Sequence, residues 1–208
     1  MILNMEEHKR KLLLQHVHQF IATTDNQEVT MQDIAEYCGV AKGTLYNYFP
    51  SKEDLLLAVF EEVMGPFDRE VEDLLGKKTL KPERKVREMI RIHLRFFVEN
   101  RNLMRMYARE VNKVFSVLSE TKTPREEFFV NHTLWFLDLC STPMKDLFPE
   151  ADVRMIAHMY HEMLKGYLMY FLFSNQEIDL NTHTEYLYAF FMNGAAGYAG
   201  LHRAGEGQ

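Results

Sequence analysis

Along almost the whole chain the apolar residues return every three or four positions, a spacing that fits helices and little else. Leu13, Val17, Phe20 and Ile21 share one face of a first helix, and Met31, Ile34, Ala35 and Cys38 one face of a second. Leu45 and Phe49 lie one turn apart on a third. A long fourth helix follows Leu56, Val59, Phe60, Val63 and Phe67. The Val-Ile-Thr clusters that mark strands are missing, so the expected fold class is all-α.

Punctuation divides the rest. Breaks are expected at Gly76, at Lys81-Pro82, near Asn100 to Asn102, at Thr123-Pro124, from Thr142-Pro143 through Pro149, and from Ser174 to Asn181. Nine helices result. Stripes in the later ones include Val86, Ile90 and Leu94; Leu103, Val111 and Leu118; Val153, Ile156 and Leu164; and Leu187 with Phe191. No run approaches the roughly 18 apolar residues of a membrane span, and the opening MILNMEEHKRK is not that of a secretory signal. The only cysteines are Cys38 and Cys140, which fits a reducing, cytoplasmic setting and buried lone thiols.

The second and third helices have the spacing of a helix-turn-helix. Thr30 is placed as an N-cap, Gly39 supplies the left-handed residue that ends a helix, and Pro50 stops the third helix before a Ser51 cap opens the fourth. With Leu45 and Phe49 turned to the core, Thr44, Asn47 and Tyr48 point outward with hydroxyl and amide groups able to bond bases or phosphates. Gly43 carries no side chain to hold a duplex away, and Lys42 and Lys52 can neutralise phosphates. Thr30, with the start of the second helix, can hold a phosphate oxygen on backbone N–H groups; Gln32 is a weaker base-reading candidate.

The stretch VTMQDIAEYCGVAKGTLYNYFPSKEDLL, residues 29 to 56, resembles the N-terminal signature of the tetracycline-repressor (TetR) family of bacterial transcriptional regulators. The elements that carry the resemblance are Thr30, Asp33-Ile34-Ala35, Gly39-Val40, Lys42-Gly43-Thr44-Leu45-Tyr46, Tyr48-Phe49 and Ser51-Lys52-Glu53. It implies a three-helix DNA-binding domain over residues 1–55 and a helical ligand-binding and dimerisation domain over residues 56–208. It also implies a homodimer through helices eight and nine, with helix three in the major groove of palindromic, double-stranded operator DNA. Tyr46 and Tyr48 then reach the DNA backbone. Alternatively, the two tyrosines merely pack between helices one and four.

The charge of −6 is unevenly spread: residues 1 to 60 hold five Lys/Arg against eight Asp/Glu, residues 61 to 125 fifteen against eleven, and residues 126 to 208 four against eleven. A reading head without a positive field cannot lean on non-specific attraction.

In the family the larger part forms a pocket for a small-molecule effector. Met89, His93, Phe96 and Phe97 on the fifth helix offer an adaptable apolar lining. So do Met104 and Tyr107 on the sixth, Phe128, His132, Trp135 and Phe136 on the seventh, and Met159, Tyr160, Met163 and Tyr167 on the eighth. The same residues would equally build an ordinary core. Arg84, Arg87, Arg91 and Arg95 share a face of the fifth helix, and Arg101, Arg105 and Arg109 one of the sixth. They read as a solvated face paired with Glu88, Glu99 and Glu110, or as a site for an anionic effector. Mid-helix Gly166 and the run Gly194-Ala-Ala-Gly197 would let two copies approach closely.

No cofactor is expected. His93, His132, His158 and His161 lack the cysteine or carboxylate spacing of a metal site, and no nucleophile motif, phosphate loop or HExxH order occurs. The chain therefore reads as a ligand-responsive repressor of the TetR kind and not as an enzyme; the alternatives are a helical protein-binding dimer module and an all-α enzyme.

Overall fold

The computed structural model describes residues 2–24, 28–112, 124–174 and 176–205, with side chains for 5–24, 28–106, 108, 130–174 and 176–194. These contain nine helices and no strand: α1 (Ile2–Thr23), α2 (Met31–Tyr37), α3 (Lys42–Tyr48), α4 (Lys52–Gly76), α5 (Pro82–Glu99), α6 (Arg101–Asn112), α7 (Pro124–Leu147), α8 (Val153–Phe173) and α9 (Leu180–Gly205). They divide into two compact units, Met1–Pro66 with Asn100–Ser119, and Phe67–Glu99 with Glu120–Gln208. The α4 helix crosses the division at Pro66.

In the first unit Leu14, Val17 and Ile21 of α1, Ile34 and Ala35 of α2, Leu45 of α3 and Leu55, Leu56 and Val59 of α4 are buried together with Phe49. The α6 helix belongs to this unit. The Asn102 amide donates to the Ala22 and Thr24 carbonyls at 3.2 and 3.1 Å, satisfying acceptors at the α1 C-terminus that the helix leaves unpaired. His18 Nε2 meets Asn100 Oδ1 at 2.9 Å beside it.

In the second unit α5, α7, α8 and α9 pack around Val86, Ile90 and Leu94, Phe136, Cys140 and Met144, Ile156, Tyr160 and Leu164, and Leu187 and Phe191. Asp152 caps α8 by accepting from the Met155 N–H at 3.1 Å, and Asp179 caps α9 from Thr182 at 2.7 Å.

The expected break at Thr142-Pro143 does not occur: α7 runs through Pro143 to Leu147. An interior proline forfeits one backbone bond and costs about 3 kcal/mol. Cys140, Met144 and Phe148, on one face across it, are all buried, and each large apolar side chain returns about 1.5–3 kcal/mol. Packing outweighs the proline, and the turn arrives only at Phe148 to Asp152.

Candidate functional site

Local hydrogen bonds fix the helix-turn-helix. The Asp33 N–H donates to Thr30 Oγ1 at 3.2 Å, while the Thr30 N–H donates to Asp33 Oδ2 at 2.7 Å, a reciprocal box that starts α2. At its end Gly39 adopts φ +66°, with Gly39 N–H on the Glu36 carbonyl and Val40 N–H on the Ala35 carbonyl. That pair is the Schellman arrangement, which aims the chain into α3. Ser51 then caps α4, accepting from the Asp54 N–H at 3.0 Å.

Leu45 and Phe49 are buried behind α3, and the Arg10 guanidinium sits 5.2 Å over the Phe49 ring. The other face is open. Lys42, Gly43, Thr44, Tyr46 and Asn47 are all exposed, and Tyr46 at 43% does not pack between α1 and α4. The Lys42 ammonium lies 6.0 Å from the Tyr46 ring. Lys52 is part-buried at the first turn of α4.

Gly43 has no need of its hydrogen side chain for the fold. Its φ is ordinary, and a Cβ added there would meet nothing within 4 Å. A glycine inside a helix costs roughly 0.5–1 kcal/mol against alanine, so here the fold carries that cost without return.

Three expected contact residues are already engaged by acids of the same chain. Thr30 gives both its N–H and its hydroxyl to Asp33. These bonds hold the Asp33 carboxyl below its usual range and put a carboxylate where a phosphate oxygen was expected. The Gln32 amide donates to Glu36 at 2.7 Å. The Tyr48 hydroxyl, expected to be free, donates to Glu6 of α1 at 2.8 Å. That bond, with Lys9 at 3.3 Å, lowers the Glu6 pKa, and it raises that of Tyr48. The exposed side of the helix-turn-helix therefore carries anions interleaved with its few cations.

Within the second unit the aromatic residues converge on His93. Its ring lies 4.8 Å from Phe67, 4.9 Å from Phe136 and 6.4 Å, edge-on, from Tyr160. The Phe96 ring lies tilted against Phe67 at 4.7 Å, and Phe136 reaches His161 at 5.9 Å. His93 Nδ1 is 2.6 Å from the Met89 carbonyl, which can only accept, so Nδ1 carries the proton and Nε2 presents a lone pair. Burial pushes the His93 pKa down to about 4, overriding the opposing effect of that bond. The ring is neutral at pH 7. Tyr160, also fully buried, has a hydroxyl with no hydrogen-bond partner among the described residues, and burial lifts its pKa well above the usual phenol range. His132 Nε2 meets Asp68 Oδ1 at 3.0 Å, and the Trp135 ring stands 5.3 Å from the His132 ring.

The expected lining is thus brought together only in part. His93, Phe96, Trp135 and Phe136 gather with His132 nearby; Met89 and Phe97 are fully enclosed beneath them, and Met163 is part-buried. Tyr167 faces Phe171 and His183 instead, at 4.9 and 6.0 Å. Met159 is 50% exposed while its neighbour Tyr160 is buried, and Met104 belongs to the first unit. The side chains of Tyr107 and Phe128 lie outside those described.

Two of the α5 arginines are occupied, with partners other than Glu88. Arg95 pairs with Glu70 and Glu99, and Arg87 with Glu185 at 3.4 Å while its guanidinium covers the Tyr188 ring at 4.2 Å. Among the described residues no group of three or more His, Cys, Asp or Glu is placed to hold a metal ion, and no helix is long and apolar enough to cross a membrane.

Comparison with known proteins finds a family match across the helix-turn-helix. The model of the bacterial regulatory proteins of the tetR family matches residues 20–59. The fatty acid metabolism regulator protein of Bacillus subtilis (strain 168) is 44% identical over 62 residues, 29% of this chain and 32% of that protein. The matches to this and the next curated relatives span 32%, 35% and 39% of their lengths. The whole fold resembles the regulator FadR from Bacillus subtilis in complex with stearoyl-CoA, with a TM-score of 0.67 at 20% identity over 88% of this chain and 97% of that one. Thermus thermophilus FadR in complex with lauroyl-CoA gives 0.63 at 18% identity, over 89% and 94%. Residues 20–59, which span the helix-turn-helix, thus match the tetR family of bacterial regulatory proteins, and the fold over most of the chain resembles that of the two FadR regulators.

Proposed function

We propose that this chain is a dimeric repressor that presents two copies of α3 to the major grooves of a palindromic operator and is released by a small, largely apolar effector. Residues 1–55 act as the reading head and residues 56–208 as sensor and dimerisation region. Gly43 is the observation that carries the DNA-binding part: an exposed helical glycine that the fold does not require sits at the centre of the outward face of α3. A duplex approaching the backbone there supplies the reason. Thr44 and Asn47 offer bonds to base edges, and Tyr46, Lys42 and Lys52 to phosphates.

A dimer is supported by α8 and α9. Met155, Met159, Gly166, Tyr170 and Phe173 form one exposed stripe along α8, and Tyr186, Phe190 and Gly194 one along α9, with Phe190 73% exposed. An added Cβ at Gly166 or Gly194 meets nothing of its own chain, as a surface kept clear for a second copy requires. Met159 belongs to this stripe in our reading, not to the effector lining.

Release works by population shift: the effector prefers the conformation whose heads no longer match half-sites about one DNA turn, or a multiple, apart. Titration of labelled DNA from the chain's own upstream region tests the proposal. Binding should weaken steeply with salt and should be lost in a Thr44→Ala, Tyr46→Ala, Lys52→Ala protein that melts like the parent. Equal binding by that variant would remove α3 as the reading surface.

A further inference from the structure

The interior of the second unit holds two complementary polar groups, one of them without a partner among the described residues. Tyr160 O–H is a donor with no partner among the described residues, although buried hydroxyls almost always find one. His93 Nε2 is an acceptor, because Nδ1 is committed to the Met89 carbonyl. The two rings stand edge to face at 6.4 Å, walled by Phe67, Phe136 and Phe191, the last 5.2 Å from Tyr160. His93 keeps some accessible surface.

We infer that the effector of this site is an uncharged, largely apolar molecule bearing a hydroxyl group, which accepts from Tyr160 and donates to His93 Nε2. The inference rests on the effector reading above and narrows it. Among the described residues a carboxylate at this point would meet a neutral imidazole and a phenol, while Arg87 and Arg95 of α5 are held by Glu185, Glu70 and Glu99. Burying an unpaired anion is far more costly than burying an alcohol. An alkane would leave Tyr160 unpaired, as it stands now.

Calorimetric titration of the full-length dimer with 1-decanol, decyl methyl ether, decanoate and decanoyl-CoA tests this. Decanol should bind about tenfold more tightly than decanoate, and better than the ether, which cannot donate to His93. In Tyr160→Phe the affinity for decanol should fall about five- to tenfold, with decanoate unchanged. That variant should melt no lower than the parent, since it deletes a hydroxyl with no partner among the described residues. A lower melting temperature would show that the hydroxyl has a protein partner and would overturn the inference. So would decanoate or decanoyl-CoA binding as tightly as decanol, an outcome that leaves the apolar-effector reading intact. If no probe bound, the inference would fall and the effector reading would lose its support. A mobility shift on the same preparation reads DNA binding separately.

Discussion

The two glycines of the helix-turn-helix should respond to alanine with opposite signs. At Gly43 the backbone is ordinary helix and the added methyl enters open space, so Gly43→Ala removes only excess freedom of the unfolded chain. Stability should rise by roughly 0.5–1 kcal/mol, which for a chain of this size lifts Tm by roughly 1–4 °C. At Gly39, φ is +66°, where alanine is strained, and the same substitution should cost about 1 kcal/mol. DNA binding should follow the other order. If the duplex contacts the α3 backbone at Gly43, a methyl holds it away and loses on the order of one hydrogen bond, about 1 kcal/mol, at each head. Two heads make about 2 kcal/mol, or roughly thirtyfold in Kd. Thermal melts and fluorescence anisotropy on the same samples read both effects. A Gly43→Ala protein that melts higher and binds DNA as well as the parent would refute the close approach. One that melts lower would show that the fold itself needs the glycine.

The anion at Tyr48 gives a second test. Glu6→Ala frees the Tyr48 hydroxyl and removes one negative charge per head, so operator affinity should rise roughly threefold or more at low salt; unchanged affinity would mean that Tyr48 and Glu6 lie off the DNA. Because the Glu6 pKa is lowered, the carboxylate persists throughout neutral pH, and the gain should not vary between pH 6 and 8. His93 makes stability pH-dependent. Its folded pKa of about 4 lies below the ordinary 6.5, so the unfolded chain binds the proton first. The His93 contribution is complete above pH 6.5 and is lost as pH falls toward 4, about 1.4 kcal/mol of it by pH 5.5. Urea unfolding at pH 7.5 and 5.5 should show this loss, and His93→Phe should reduce it while leaving the smaller share of His161, whose pKa burial also lowers. Finally, Gly166→Leu has room within its own chain but none in a close helix pairing, so sedimentation should show a folded monomer; an intact dimer would exclude the α8 stripe as the contact.

The parts of this molecule that were legible in the sequence are those whose physics is local. Thr30 and Asp33 are three residues apart, Gly39 directly follows the helix it ends, and Leu45 and Phe49 are one turn apart; each signal acts within a window the eye can scan. Pro143 misled because its effect is local but the burial that overrides it is not. The same limit governs the site. Tyr48 with Glu6, His132 with Asp68 and Arg87 with Glu185 join residues 42, 64 and 98 positions apart, and no periodicity predicts which acid meets which base.

The α8 helix shows the limit most clearly, because it is apolar on two sides. Ile156, Tyr160 and Leu164 face the interior, and Met155, Met159 and Tyr170 face out, so hydrophobic spacing alone set Met159 and Tyr160 in one lining and could not separate the two sides. Only the packing of α5, α7 and α9 around it assigns Tyr160 to the inside. That assignment changes the meaning of the residue: in the sequence Tyr160 is one aromatic among many, and in the fold its buried hydroxyl stands beside a neutral histidine with no partner among the described residues. A core built only for stability would gain by having phenylalanine there, since an unpaired buried hydroxyl costs about 1–3 kcal/mol. Gly43 poses the same argument at the surface: each residue is worse for the fold than its simplest replacement, and each faces the place where a partner would make it the better choice.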